Sequence, residues 1–407
     1  MIWFEIKKIF SKTINKVALL VLLVILFISG FFTISSVEFV DEDGDTTSGI
    51  AAAHQLANMK KQWNGFVTEE LLQRMIEENN KINASEEYQS KDNAENNKAY
   101  ARKQGFSDIR DMVSRAFSGF QDYNYYLADD VSTAEVGQLY KKRILQLQKW
   151  LNAEDVKSNF SQEEKQFLLA QYEKLKTPLY YEDSDGWSSL IEYLPMVIML
   201  FVLISAFLVS GIFSSEFQLK ADAIFFSTKT GRHEAVRSKV FAGFLIVTAL
   251  YWAITLLFSL VILGVLGMGG GSCFIQTGIG GWKSFYTITF FQEYLLTILG
   301  GYLGSLFILT LSMFISAKFR STVLAVTVPF AILFIPSFLS GKQVLSKVLG
   351  LLPDQLLQLN MAVKYFNLYQ INGKVIGAVP ILITVYLLFY IILVPALYQV
   401  YRKAEVK

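Results

Sequence analysis

The chain has one cysteine, Cys273, and two histidines, His54 and His233, in 407 residues. A lone thiol excludes an internal disulfide framework and any multi-cysteine metal site. The two histidines lie too far apart in sequence to suggest a histidine metal cluster. Charge is scarce as well, at 18% of residues, where soluble domains carry about 25%. No G-x-x-x-x-G-K-[ST] phosphate cradle is present, because Gly341-Lys342 and Gly373-Lys374 are followed by Gln343 and Val375. The net charge of +2, from 37 basic and 35 acidic residues, gives no reason to invoke nucleic acid. What the chain does have is apolar surface: 53% hydrophobic residues, 33 Phe, 20 Tyr and a mean hydropathy of +0.37. That composition describes a membrane protein, because the apolar residues are clustered.

Residues 17–37 form a charge-free run of about the 20 residues that a bilayer core requires. A cleaved signal peptide has a shorter apolar region, about 7–15 residues, and a small-residue cleavage site. No A-x-A pattern follows this run, so a retained transmembrane helix is expected. Further runs at 193–213, 240–268, 286–316, 322–340 and 379–401 bring the expected spans to six. The fourth is too long for a simple crossing and carries Glu293 near its start, so it is expected to open with an interfacial or re-entrant turn before crossing near Leu295. Pro329, Pro336 and Pro395 predict kinks facing other helices, because lipid cannot replace the hydrogen bond that proline removes.

Basic residues set the orientation. Lys7, Lys8, Lys12 and Lys16 precede the first span, and Glu38, Asp41, Glu42, Asp43 and Asp45 follow it, so the N-terminus is expected in the cytoplasm. Six crossings return residues 402–407 to the same side. The four inside segments together hold 14 basic and 5 acidic residues, whereas 38–190 holds 18 basic and 27 acidic. The small net charge is a cancellation between these two sides. One loop disagrees: residues 341–377 are expected outside yet carry Lys342, Lys347, Lys364 and Lys374. Trp187 and Trp282 are expected at the outer boundary and Trp3 at the inner one, as interfacial aromatics. Residues 1–16 alternate apolar and charged side chains as in an amphipathic surface helix; an ordinary basic flank carries the same charges.

Residues 38–190 are expected to form an extracytoplasmic domain of mainly helical structure. Leu71, Leu72, Met75, Ile76 and Ile82 make one helical stripe; Tyr140, Ile144, Leu147, Trp150 and Leu151 make a second; Leu168, Leu169, Tyr172 and Leu175 make a third. Ser132 with Glu135, and Ser161 with Glu164, have capping-box spacing. The Asn- and Glu-rich part around 88–100 reads as a mobile connection, and the glycine-rich residues 269–285 read as a flexible outer loop. The predicted class is therefore an all-α polytopic membrane protein with six transmembrane helices and one helical domain between the first two.

The inside loop 214–239 carries the functional signal: a short amphipathic stretch, a glycine break, and a charged entry to the third span. With Glu216, Asp222, Ile224-Phe225-Phe226-Ser227, Gly231-Arg232 and Lys239, it resembles the loop of permease subunits in the type-2 exporter class of ABC transporters. The six-span layout, the surface helix before the first span and the outer re-entrant loop 341–377 extend the resemblance, and the large insertion after the first span looks like one bacterial subgroup. The resemblance implies a plasma-membrane permease subunit moving a peptide, lipid-like molecule or hydrophobic drug outward. It implies pairing with a second permease chain, identical or paralogous, and with two cytosolic ABC ATPase subunits. ATP and Mg would act in those partners, and this chain is expected to hold no cofactor, metal or catalytic residue. Glu216, Phe217, Lys220, Asp222, Arg232 and Arg237 are the candidates for the ATPase-coupling interface.

Glu293 is the candidate intramembrane polar site, since an acid within a span is functional by default; at headgroup level it would be merely interfacial. Gly300, Gly301 and Gly304 make a small-residue face suited to close helix contact. A second reading is a signal-transmitting permease-like sensor, whose outer domain captures a ligand and whose ATPase drives a conformational message. An intramembrane enzyme would need paired acids, a histidine cluster or a nucleophile with its base inside the spans, and the sequence offers none of these.

Overall fold

The computed structural model describes residues 1–220, 233–339 and 343–403. Helix α1 (Ile2–Ser11) buries Glu5 and Ile9 and leaves Trp3 and Phe4 exposed. Extended backbone at Lys12 breaks it from α2 (Thr13–Ser35). The break frees the Ile9 carbonyl, which accepts a 2.8 Å hydrogen bond from Asn15 Nδ2.

Beyond α2 the chain builds a domain. Strands β1 (Glu38–Val40) and β2 (Thr46–Ser48) form an antiparallel hairpin with Glu38 opposite Ser48. Helices α3 (Ile50–Lys61), α4 (Glu69–Asn83), α5 (Glu86–Gln89), α6 (Asn93–Lys103), α7 (Ser107–Phe117), α8 (Leu139–Leu151) and α9 (Gln162–Glu173) follow. Between α3 and α4 lies β3 (Gly65–Phe66), which pairs with β4 (Tyr180–Tyr181) after α9. The periodic stripes are the buried faces: Leu72, Met75, Ile76 and Ile82 on α4, Leu147 and Leu151 on α8, Leu168 and Tyr172 on α9. Ser161 and Glu164 form a reciprocal capping box that opens α9. Ser132 and Glu135 also bond, at 2.8 Å, but ahead of a 3₁₀ turn rather than an α-helix. The segment expected to be a mobile connection is largely the helices α5 and α6, and Asp92 caps the Ala94 N–H at 3.0 Å.

Helix α10 (Asp185–Gln218) leads out of the domain and α11 (Glu234–Leu266) leads back to it. They are followed by α12 (Phe290–Phe319), α13 (Thr322–Leu339), the short α14 (Gln343–Leu349), α15 (Pro353–Leu357) and α16 (Leu359–Lys364), and hairpin β5 (Leu368–Ile371) with β6 (Lys374–Gly377). Asn372 and Gly373, both at positive φ, turn that hairpin. The final helix is α17 (Ala378–Arg402). Helices α2, α10, α11, α12, α13 and α17 are long and apolar enough to cross a membrane. The chain is an all-α polytopic membrane protein.

The 34 residues of α10 span about 50 Å at 1.5 Å per residue, against a hydrocarbon core of about 30 Å. Its two ends therefore cannot both lie in lipid. Helices α10 and α12 form the centre, with 61% and 67% of their most apolar stretches buried, whereas α2, α13 and α17 bury 22–28%. Small residues bring the central helices together. The hydroxyl of Ser316 on α12 donates to the Ser210 carbonyl on α10, and Ser312 Oγ donates to the Ala325 carbonyl at 2.7 Å. A Cβ on Gly300 would overlap Leu359, and one on Gly304 would overlap Leu357, so this glycine face receives α15 and α16.

Several expectations change. Helix α12 has no re-entrant opening: it starts at Phe290 with a Thr289–Gln292 capping box and runs unbroken. The surplus apolar residues before it belong to the domain side, where Tyr286 stacks on Phe285 at 4.2 Å. Trp187 and Trp282, expected as interfacial aromatics, pack against protein. Both are buried, and Trp282 sits in the domain core beside Trp63 and Tyr181. The glycine-rich stretch is packed rather than flexible. Glycine marks close approach there: a Cβ on Gly281 would overlap the Ile275 carbonyl, and one on Gly271 would lie 2.9 Å from the Trp187 ring. Pro329 and Pro336 are buried as their chemistry requires, but Pro395 is exposed.

The loops at the domain end complete the domain. Arg143 donates to the carbonyls of Trp282 and Ser284 at 3.1 and 2.9 Å, and Tyr172 donates to that of Lys283 at 2.6 Å. Phe366 from the last loop joins Phe120 and Trp150 in an aromatic cluster. Two of the four lysines that seemed misplaced in that loop face acids: Lys347 lies 3.5 Å from Glu164 and Lys364 lies 4.0 Å from Glu293, whereas Lys342 lies outside the described residues. These pairs offset part of the loop's charge, which a count along the sequence cannot register.

Candidate functional site

At the end of the bundle away from the domain, four elements converge on one knot of charge. Lys239, in the first turns of α11, is fully buried. Its ammonium contacts the Glu216 carboxylate near the end of α10, Glu5 Oε2 of α1 at 3.1 Å and the Ile212 carbonyl at 3.1 Å. Glu216 is 6% exposed and also accepts from Lys8 Nζ at 3.1 Å and from Tyr401 Oη of α17 at 2.6 Å. Two carboxylates thus meet two ammonium groups, and the three protons of Lys239 each have an acceptor. Burial, together with the nearby Lys8 and Lys239 ammonium groups, lowers the Lys12 pKa.

This placement revises the role expected for Glu216. It faces inward, 6% exposed, and joins helices through Lys239, Lys8 and Tyr401. Phe217 is half-buried, with its ring 5.8 Å from Tyr401 and under the Arg320 guanidinium at 4.4 Å. Lys220 and Arg237 are exposed, and Arg237 lies 3.7 Å from Glu234. Asp222, Ile224-Phe225-Phe226-Ser227 and Gly231-Arg232 lie outside the described residues. The sequence had flagged Glu216 and Lys239 as parts of one loop motif. Glu5, Lys8 and Tyr401 were not singled out as their partners, because nothing local distinguishes them from other flanking polar residues.

A second polar group lies where the domain meets the spans. Lys60 of α3 contacts Asp185 at 2.7 Å, Asp108 at 2.9 Å and Asp183 at 3.7 Å, and Tyr181 Oη donates to Asp108 at 2.7 Å. Burial opposes the charge on Lys60, but the three carboxylates outweigh it and raise its pKa well above the ordinary value. Burial and then the adjacent Asp185 push Asp183 up to about 6. The three carboxylates lie within 4.8 Å of one another, close enough to hold a metal ion; the Lys60 ammonium already supplies the balancing cation. Sequence reading missed this cluster, because its members are 48 to 125 positions from Lys60 along the chain. Glu293 lies nearby, 2% exposed, in the first turn of α12.

The fold defines a polytopic helical membrane protein whose long central helices join a polar domain at one end to a buried charge knot at the other. A family model described as ABC-2 family transporter protein matches residues 16–394, nearly the whole chain, and the chain belongs to that family. It is thus a membrane-embedded permease subunit of an ABC transporter, and the family implies association with ABC ATPase partners. Such subunits are typically non-catalytic. No curated protein and no solved structure matches the chain.

Proposed function

We propose that this chain is the permease subunit of an exporter that moves a peptide, a lipid-like molecule or a hydrophobic drug out of the cytoplasm or the inner membrane. In this reading the charge knot marks the cytoplasmic end, in keeping with the basic excess of the segments there. The single observation that carries it is the joining of α1, α10, α11 and α17 through Glu5, Glu216, Lys239 and Tyr401. Because α10 and α11 flank residues 221–232, a force applied to that segment is passed to a clamped set of helices rather than to one. Two ATPase subunits, using ATP and Mg, supply the force. Lys220 and Arg237, with Asp222 and Arg232, form their docking rim, where charge sets partner choice and association rate more than affinity. A second permease chain, identical or paralogous, covers part of the apolar surface left open on α2, α13 and α17.

The test is copurification with the partner ATPase and ATP-driven transport in proteoliposomes. The double variant K220E/R237E should insert normally yet recover roughly tenfold less ATPase, in line with lost charge complementarity. Full recovery and transport would overturn the docking assignment.

One observation favours the sensor reading: a pocket of about 480 Å³ on the domain, lined by Tyr88, Tyr100, Tyr125 and Tyr126 over Lys103 and Arg110. Ligand-stimulated ATPase activity without cargo movement in sealed vesicles would select it over export.

A further inference from the structure

We propose that the cavity beneath the domain is a binding site for an organic ammonium group. The cavity holds about 220 Å³ between the domain, the glycine loop and the starts of α10 and α12. Asp108, Asp185, Glu192 and Glu293 line it, with Lys364 as the lining cation. Lys60 is committed to Asp108, Asp183 and Asp185. Four carboxylates therefore line the cavity against one lining ammonium, and because Lys60 is shared with Asp183 the surroundings keep an excess of negative charge.

The decisive group is Glu293. It is 2% exposed, and its Oε1 accepts no hydrogen bond among the described residues. Lys364 Nζ stands 4.0 Å away, beyond hydrogen-bond length. The ion pair to Lys364 at its limiting distance, with no hydrogen bond, leaves this buried carboxylate oxygen incompletely compensated. The rest of the lining selects the kind of cation. Ile191, Ile275 and Phe290 contribute apolar wall, whereas a calcium ion demands six to eight oxygens at about 2.4 Å. Apolar walls together with lining carboxylates match a protonated amine carried on a small hydrocarbon or aromatic body. Lys364 then acts as a tethered competitor that the ligand displaces from Glu293. This site goes beyond the export reading, since it needs neither ATP nor a partner.

The test uses the full chain in lipid nanodiscs, with 4-fluorobenzylammonium as the probe and ¹⁹F NMR as the readout. The uncharged analogue 4-fluorobenzyl alcohol is the control. The ammonium should bind saturably, and the alcohol at least about tenfold more weakly. Glu293→Gln should weaken ammonium binding about tenfold. Lys364→Met should strengthen it severalfold, a gain that misfolding cannot produce. Equal binding of amine and alcohol, or affinities unchanged in both variants, would overturn the assignment. Displacement of the probe by calcium at lower concentration than by unlabelled benzylammonium would also overturn it, in favour of a metal site. Failure here leaves the export reading standing, and loss of ATP-driven transport leaves this binding untouched.

Discussion

Replacing Lys239 by methionine is the sharpest probe of the charge knot. The side chain is fully buried and its ammonium has two carboxylate partners and one carbonyl partner. Methionine fills a similar volume, so the change removes charge more than packing. It leaves Glu5 and Glu216, both under 10% exposed, without the ammonium between them, and Lys8 stays 3.1 Å from Glu216. Breaking a buried pair by removing one member costs about 3–5 kcal/mol, because the other charge stays buried. The double variant E216Q/K239M removes one charge of each sign, so it should lose less than K239M alone. The resulting coupling energy should fall in the range of about 1–3 kcal/mol. Reversible unfolding in mixed SDS micelles, followed by far-ultraviolet circular dichroism, measures all three free energies in one cycle. The reasoning fails if K239M stays within about 1 kcal/mol of wild type, or if the double variant costs the sum of the two singles.

Three further outcomes follow from the same structure. Gly300→Ala places a Cβ against Leu359 and 3.0 Å from the Leu356 carbonyl, and overpacking of this kind costs about 1–3 kcal/mol. Gly264→Ala on α11 meets nothing within 4 Å and should be neutral or stabilising by up to about 1 kcal/mol; the same unfolding assay compares them. Arg143→Met removes the Arg143 donor from the buried Trp282 carbonyl and leaves the Ser284 carbonyl with only its longer, 3.2 Å bond from Gln276 among the bonds described. Hydrogen exchange at residues 282–286 should then rise while exchange in α2 stays unchanged. Asp183 keeps its proton in the folded protein up to about pH 6, whereas an unfolded aspartate loses it near about 3.9. The folded state binds more protons between those values, so stability falls as pH rises through the window, by up to about 3 kcal/mol. Asp183→Asn should reduce that slope, leaving the part that the likewise raised Asp185 contributes, and unfolding free energies for both proteins across the window provide the check.

Much of the architecture was legible from composition and period. Apolar runs of bilayer length marked each crossing helix, and the 3.6-residue stripes of α4, α8 and α9 named most of the side chains that those helices bury. Glycines were harder to read. Gly300 and Gly304 were recognised as a contact face, but Gly271 and Gly281 read as flexibility because sequence does not show what approaches them. The site was half legible. Glu216 and Lys239 stood out by their place in a loop motif, but whether Glu216 faces a partner or the interior depends on what packs beside it.

The sequence by itself determined the class: a helical membrane chain with charge segregated between the two sides of its spans. Those properties are sums and periods along one dimension, and each residue contributes to them wherever its neighbours lie. Only the tertiary structure decided the pairings. Lys239 meets Glu5 across 234 positions, Lys60 meets Asp185 across 125, and Arg143 meets the Ser284 carbonyl across 141. A buried charge requires a partner within a few ångströms. Many residues are chemically able to be that partner, and the packing of the helices selects which one arrives.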